Sequence, residues 1–226
     1  MGKITALEVQ KRNKERVNVY IDGEFAFALS LIEAARLHKG QSLNEAEIVT
    51  LRDEDEVIKA VDTAVNFISF RPRSIHEVRR NLAEKDVPEA VIDMAVERLS
   101  TLGYVDDFAF ARYWIENRES FKPLSPAALR QELQQKGVVR DIIDEVLSDL
   151  NADDAAYRAA LTQVRRIRTK DRREFKRKLG AFLQRRGFSF STVRSVTTRI
   201  IEDLETQTAD YFNAKAEDES LDEGDT

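Results

Sequence analysis

A tandem internal repeat is the feature that most constrains the fold of this chain. Residues 73–99 align without a gap on residues 124–150, at a shift of 51. At a shift of 50 the second copy aligns on the segment that ends at Ile200. Apolar residues recur at helical spacing in all three copies, and a Gly or an Asp occupies one shared turn. Three positions that we expect in the core are occupied by Leu82, Leu133 and Leu183.

Helix-start signals support a three-helix unit. Ser74 aligns with Ser125, and each precedes a helical pattern as an N-cap residue. Pro126 then occupies the first helical position, where its missing N–H is not needed. Because a unit of this size buries little core alone, neighbouring units must stack. The sequence therefore predicts a mainly α fold built of three tandem three-helix repeats.

The N-terminal part of the chain has a different pattern. Apolar residues alternate in RVNVYI and EFAFAL, and the Asp22–Gly23 pair between them is a type I′ hairpin signal. We predict a three-stranded antiparallel meander over residues 4–29, covered by a helix that begins after Ser30 and ends at Gly40. The segment after Asn44 is predicted to be helical, as one helix or as two that separate at the acidic run 53–56.

These patterns divide the chain into five segments. They are an N-terminal strand and helix module with a linker helix (1–56), three repeats (57–103, 104–153 and 154–204) and an acidic tail that we expect to be disordered (205–226).

The net charge of −5 conceals an uneven distribution. Residues 154–204 contain 14 Lys or Arg against 5 Asp or Glu, which gives +9, whereas residues 205–226 contain 1 and 8, which gives −7. So basic a segment favours a polyanionic partner, nucleic acid or an acidic protein surface. The alternative stays open that these cations bind no partner and only keep a helix pair soluble. For the tail, two roles stay open: it has no function, or it competes with DNA for the third repeat.

The third repeat supplies most of the candidate contacts. On residues 172–186, Phe175, Leu179, Phe182 and Leu183 form a core stripe, and the cations project on the other side. In the preceding helix Tyr157, Leu161 and Val164 are expected to face inward. The candidate cations are Arg165, Arg166, Arg168, Lys170, Arg172, Arg173, Lys176, Arg177, Arg185 and Arg186.

An acid pair beside four aromatic residues, Asp106 and Asp107, first suggests a catalytic site. Its position at the start of a repeat favours a helix N-cap followed by a first-turn acid. In that helix Phe108, Ala111 and Ile115 share one face, with Phe110 and Tyr113 opposite, so we expect a helix packed on two sides.

Signatures of common enzyme classes are absent from the sequence. It contains no P-loop, GxGxxG, GxSxG or HExxH pattern, no Cys, and only two isolated His residues. We therefore expect no catalytic residue, no metal and no cofactor, although a carboxylate-only site stays open. The sequence also shows no membrane span and no signal peptide, which predicts a soluble, cytoplasmic protein.

Two segments resemble the RecX family of regulators of the RecA recombinase. The first is Arg71-Pro72-Arg73-Ser74, and the second is Gly103-Tyr104-Val105-Asp106-Asp107 followed by Phe110-Ala111. LRQELQQKGV, which ends at Gly137-Val138, resembles the family motif of the second repeat. The resemblance spans about residues 57–204 and weakens in the third repeat, where only the apolar frame and the basic character persist.

The resemblance implies a non-enzymatic, curved rod of three-helix repeats that binds in the groove of RecA filaments on single-stranded DNA. Such proteins inhibit strand exchange and ATP hydrolysis or limit filament growth, and some bind DNA directly. The implied partners are the RecA filament and single-stranded or double-stranded DNA, bound by a monomer. Further contact candidates in the first repeat are Arg71, Arg73, Arg79 and Arg80. The alternative is a helical-repeat protein that binds nucleic acid without acting on RecA.

Overall fold

The computed structural model describes residues 1–208 and 211–212, and the chain divides between Asp106 and Asp107 into two compact units. The elements of the first unit are β1 (Gly2–Val9), β2 (Arg16–Ile21), β3 (Glu24–Ser30), α1 (Leu31–Ala34), β4 (Ser42–Leu43), α2 (Glu45–Ile68), α3 (Ile75–Ala83) and α4 (Glu89–Thr101). Those of the second unit are α5 (Asp107–Phe121), α6 (Pro126–Gln135), α7 (Arg140–Leu147), α8 (Ala152–Val164), α9 (Arg172–Arg185) and α10 (Phe190–Gln207).

The N-terminal sheet has four strands in the order β3-β2-β1-β4, and adjacent strands run antiparallel to one another. Asp22 (φ 52°) and Gly23 (φ 92°) both take the left-handed conformation between β2 and β3, as the predicted type I′ turn requires. The expectation of three strands was wrong by one. β4 has only two residues, too few for alternation to be visible in the sequence.

Two helices, not one, cover the apolar face of the sheet. Ser30 Oγ accepts a hydrogen bond from the Glu33 backbone N–H at 3.1 Å, but α1 ends at Ala34, so the prediction that it reaches Gly40 was wrong. Ile48 and Leu51 of α2 also pack against the sheet core. Because α2 shares the covering, a single turn of helix in α1 is sufficient.

The acidic run 53–56 does not interrupt α2, which is one continuous helix. Asp55 is buried. It accepts a hydrogen bond from Arg16 (2.9 Å from Nη2 to Oδ2) and forms an ion pair with Lys59 (2.7 Å from Nζ to Oδ2). Burial favours the protonated acid, but the hydrogen bonds from Arg16 and Lys59 outweigh it and lower the pKa of Asp55. The ion pair between Arg16 of β2 and Asp55 links α2 to the sheet.

The aligned leucines of the repeat lie in three separate cores, as predicted. Leu82 packs among α2–α4, Leu133 among α5–α7 and Leu183 among α8–α10, and each side chain is fully buried. We call these helix triplets the first, second and third domains. Ser74 and Ser125 cap α3 and α6, as predicted.

The shared turn of the repeat has a left-handed residue in every domain. Asp86 (φ 60°), Gly137 (φ 77°) and Gly187 (φ 84°) occupy it, so the Gly-or-Asp pattern has a conformational cause. Gly187 meets a second constraint, because a Cβ there would lie 2.8 Å from Ser125 Oγ. The Ser125 backbone N–H also donates to the Arg186 carbonyl at 3.0 Å. The turn of the third domain therefore packs on the start of α6.

The prediction of a two-sided apolar α5 was wrong. Phe110 packs in the same core as Ala111 and Ile115, whereas Tyr113 is exposed. Phe110 and Ala111 are adjacent in the helix and about 100° apart around its axis, so both can reach the same core.

Two helices of the third domain also differ from expectation. The buried face of α8 consists of alanines, and Leu161 is 46% exposed rather than inward-facing. Small side chains let α8 approach α10 closely, which leaves Leu161 outside the contact. α10 continues to Gln207, so residues 205–207 of the predicted disordered tail are helical. Residues 209–210 and 213–226 of that tail lie outside the described residues.

Candidate nucleic-acid interface

The connection between α8 and α9 is held in place by a local hydrogen-bond network. Asp171 caps α9 by accepting from the Arg173 backbone N–H at 2.8 Å, and Thr169 Oγ1 donates to Glu174 at 2.7 Å. The Thr169 hydroxyl and then Lys178 lower the pKa of Glu174. α9 begins four residues before the position that aligns with the first residue of α6, and this extra turn carries Arg172 and Arg173.

Four cations of the third domain pair with described carboxylates. Arg172 lies 3.0 Å from Glu205, Lys178 lies 3.0 Å from Glu174, and Arg177 lies 3.9 Å from the same Glu174 oxygen. The fourth pair joins Arg158 to Glu119. At 3.9 Å the contact of Arg177 is the weakest, so this side chain stays available to another anion.

Seven other cations of the third domain are exposed, and in the described part of the chain they form neither an ion pair with a carboxylate nor a stacking contact with an aromatic ring. We refer to this group as the unpaired cations. They are Arg165, Arg166, Arg168, Arg173, Lys176, Arg185 and Arg194. Because no carboxylate of the described residues pairs with them, they present a positive potential to solvent, and a polyanion can bind them without breaking such a pair.

Two candidates from the sequence have their side chains engaged. Lys170 Nζ lies 4.0 Å from the centroid of the Tyr211 ring. Arg186 is half-buried, stacks on Phe182 and donates to the Pro123 carbonyl at 3.3 Å. Burial, and then the charge of Arg166, lower the pKa of Arg186. Arg186 therefore joins the second and third domains.

The candidates of the first domain are mostly committed to intramolecular contacts. Arg71 donates to both oxygens of Glu77, at 2.8 and 3.2 Å, and Glu77 in turn closes the capping box of α3 with Ser74. Arg73 stacks on Phe67, 4.1 Å from the ring centroid. Burial, and then the charge of Arg71, lower the pKa of Arg73.

Arg79 and Arg80 follow on α3 and differ in availability. Arg79 pairs with Asp93 at 2.6 Å and also with Glu89, and these hydrogen bonds raise its pKa. Arg80 is 61% exposed and only 3.5 Å from Glu84 at best. Of these four first-domain candidates, Arg80 is the one most available to a partner.

The motif residues occupy turns, helix starts and cores. Gly103 takes a left-handed conformation (φ 73°), and Tyr104 beside it is exposed. Asp106 is exposed and directly precedes α5, whose first turn contains Asp107. Among the described residues, no group of three His, Asp or Glu could hold a metal ion, and no described helix is long and apolar enough to span a membrane.

Sequence reasoning missed Phe190 and Arg194 on α10. Both are exposed and line a groove of about 480 Å³ between α9 and α10, together with Lys176 and Arg177. The signal was present in the repeat. Phe190 aligns with Arg140, so this position changes its chemistry between domains, while the core position of Leu82, Leu133 and Leu183 does not.

Comparison with known protein families gives four consecutive matches. They are the regulatory protein RecX N-terminal domain (residues 2–44) and the first, second and third three-helix domains of RecX (60–99, 106–147 and 151–197).

Similar proteins and structures agree with these matches. Regulatory protein RecX of Bacillus pumilus is 33% identical, over 85% of this chain and 75% of that protein, and that of Bacillus subtilis is 32% identical, over 88% and 78%. A crystal structure of regulatory protein RecX superposes with a TM-score of 0.70 at 28% identity, over 88% of this chain and all of that one. A RecX structure from Lactobacillus salivarius, at 20% identity and a TM-score of 0.57, shares the fold. With its four domains matched in order and such relatives along most of its length, the chain belongs to the RecX family of regulatory proteins.

Proposed function

We propose that this protein is a non-enzymatic, cytoplasmic modulator of the RecA recombinase, which binds the RecA filament on single-stranded DNA and inhibits it during DNA repair, recombination and the SOS response. Membership of the RecX family supports the choice of partner. The observation that carries a nucleic-acid contact is the group of unpaired cations on the third domain. We further propose that the protein acts as a monomer.

The chemistry of these cations favours contacts with the DNA backbone. Arg and Lys on exposed helical faces bind phosphates without reading bases, so little sequence preference is expected. A regulator of a filament gains from such binding, because a filament covers DNA of any sequence. Several domains on one chain also add weak contacts through effective concentration.

The proposal is tested by the ATP hydrolysis rate of RecA on single-stranded DNA, with and without this protein at constant salt. A progressive fall of the rate with added protein is expected. An unchanged rate, with normal binding to bare DNA, would favour a stand-alone nucleic-acid-binding protein instead. Binding to DNA-loaded RecA filaments and to bare DNA, compared at matched salt, separates the same two functions.

A further inference from the structure

The groove between α9 and α10 differs in chemistry from its counterparts in the other two domains. In the second domain Arg130 of the middle helix forms an ion pair with Asp144 of the last helix, and Arg140 lies 3.4 Å from the same carboxylate. The hydrogen bond from Arg130 is the main cause of the lowered pKa of Asp144. In the first domain Arg79 makes the corresponding bonds to Asp93 and Glu89. In both domains an arginine therefore crosses the groove.

The third domain lacks this bridge at both ends. Gly180 aligns with Arg79 and Arg130, so no side chain extends across the groove. Arg194 aligns with Asp93 and Asp144, so the third domain has a cation where the other two have a carboxylate. The third domain thus keeps the helix pair, but it leaves the groove between the helices open and positively charged.

The lining of the open groove combines cations with one exposed aromatic ring. Phe190, the first residue of α10, is 73% exposed. The groove is also lined by Lys176, Arg177 and Arg194, and none of its lining residues is a carboxylate. A ring in water beside cations is the arrangement by which proteins bind single-stranded nucleic acid, since bases stack on the ring and phosphates pair with the cations.

Thr197 provides a second, independent feature of the same groove. Thr197 is 1% exposed, and its hydroxyl has no hydrogen-bond partner among the described residues. The aligned residues of the other domains are Val96 and Leu147, which are apolar and buried. A buried hydroxyl without a partner has a free-energy cost, and this one lies where the other domains have only apolar atoms.

We propose that the groove between α9 and α10 binds a single strand of nucleic acid, with one base stacked on Phe190 and the flanking phosphates on Lys176, Arg177 and Arg194. This inference rests on the proposed contact between the third domain and DNA, and it adds the strand type and the contacting groove. A duplex is a poorer ligand, because its bases are already stacked on one another and offer only their edges.

The test is the affinity of the full-length protein for a fluorescent oligothymidine, measured by anisotropy without RecA. Phe190→Leu removes the ring but keeps an apolar side chain, and it should weaken binding about 5- to 150-fold, the range for loss of one stacked base. Phe190→Trp should retain at least wild-type affinity. Phe121→Leu is the matched control, because Phe121 is 81% exposed on α5, and it should leave binding unchanged.

An abasic strand of the same length isolates stacking from charge. On this strand wild type and Phe190→Leu should bind equally, since no base remains to stack. The double variant Gly180→Arg with Arg194→Asp reinstates the bridge of the other domains, and it too should weaken binding to oligothymidine. Gly180 accepts a side chain, since a Cβ there would meet Val193 at an ordinary 3.6 Å.

Three results would overturn the inference. Unchanged oligothymidine binding in Phe190→Leu removes the stacking site, and an equal loss on an abasic strand assigns the effect to something other than a base. A loss on duplex DNA as large as on the single strand makes the groove a duplex contact. In each case inhibition of RecA by the wild-type protein would still stand or fall by its own ATPase assay.

Discussion

Removing three cations from the exposed side of α9 should flatten the salt dependence of DNA binding by a calculable amount. The variant is Arg173→Ala, Lys176→Ala and Arg177→Ala. Each lost phosphate contact lowers the magnitude of the slope of log K against log salt by about 0.7 on single strands. Arg173 and Lys176 have no ion-pair partner in the described part of the chain, so they account for about 1.4. Arg177, only 3.9 Å from Glu174, adds up to about 0.7.

A change of about 2 in the slope of log K against log salt has a large effect on affinity. Between 50 and 200 mM salt the wild type should lose about 20-fold more affinity than the variant, because a fourfold rise in salt acts through a slope steeper by about 2. The assay is anisotropy of a labelled single strand at four or five salt concentrations, together with binding to DNA-loaded RecA filaments. Circular dichroism should show an unchanged helix content, since all three side chains are exposed.

A matched control removes the same charge elsewhere. Arg36, Lys39 and Arg140 are exposed, and none of them is a candidate contact with DNA. Their triple alanine variant should keep the wild-type slope. If the two triple variants changed the slope equally, the effect would be one of net charge. If only the control changed it, the DNA contact would lie outside the third domain.

Three further predictions concern the scaffold. Leu133→Ala should lower the free energy of unfolding by about 2–5 kcal/mol, because the side chain is fully buried; a loss below about 0.5 kcal/mol, as expected for a surface change, would contradict the repeat alignment. Gly187→Ala should cost more in urea unfolding than Gly103→Ala, since both have positive φ but only at position 187 would the added Cβ lie 2.8 Å from Ser125 Oγ; equal losses would show that this approach imposes no strain. Asp55→Asn should cost about 3 kcal/mol at pH 7, where Arg16 loses its charged partner. The folded pKa of Asp55 is lowered, so its stabilisation is present above the unfolded pKa and lost as pH falls through the folded one; a difference from wild type that persisted undiminished to about pH 2.5 would refute the pairing.

The sequence predicted the features that arise from local pattern. The periodicity of Leu82, Leu133 and Leu183, the caps at Ser74 and Ser125 and the Asp22–Gly23 turn are each set by a few neighbouring residues. The errors arose where tertiary contacts decide. α1 ends early because α2 shares the sheet, and Leu161 is exposed because alanines form the α8 contact.

The candidate site was predictable only in outline. Net charge located the third domain, but it could not show which cations are already paired. Arg71 and Arg79 look as available as Arg173 in the sequence, yet both are held by carboxylates that lie 6 to 14 residues away. These pairs form because Glu77 belongs to the capping box of α3 and because α3 packs on α4. A count of charges in the sequence contains no information on such contacts.

The energies of the two kinds of repeat position explain why one kind stays constant while the other diverges. A buried leucine contributes about 2–5 kcal/mol by the cost of its truncation, so each domain needs it. The Arg130–Asp144 pair is 38% and 45% exposed, and exposed pairs contribute only about 0–1 kcal/mol. The bridge across the groove can therefore be lost at little cost to folding, as it is at Gly180 and Arg194. Positions that contribute little stability are the ones free to acquire a binding role, and comparing the copies of a repeat within one chain is the way to find them.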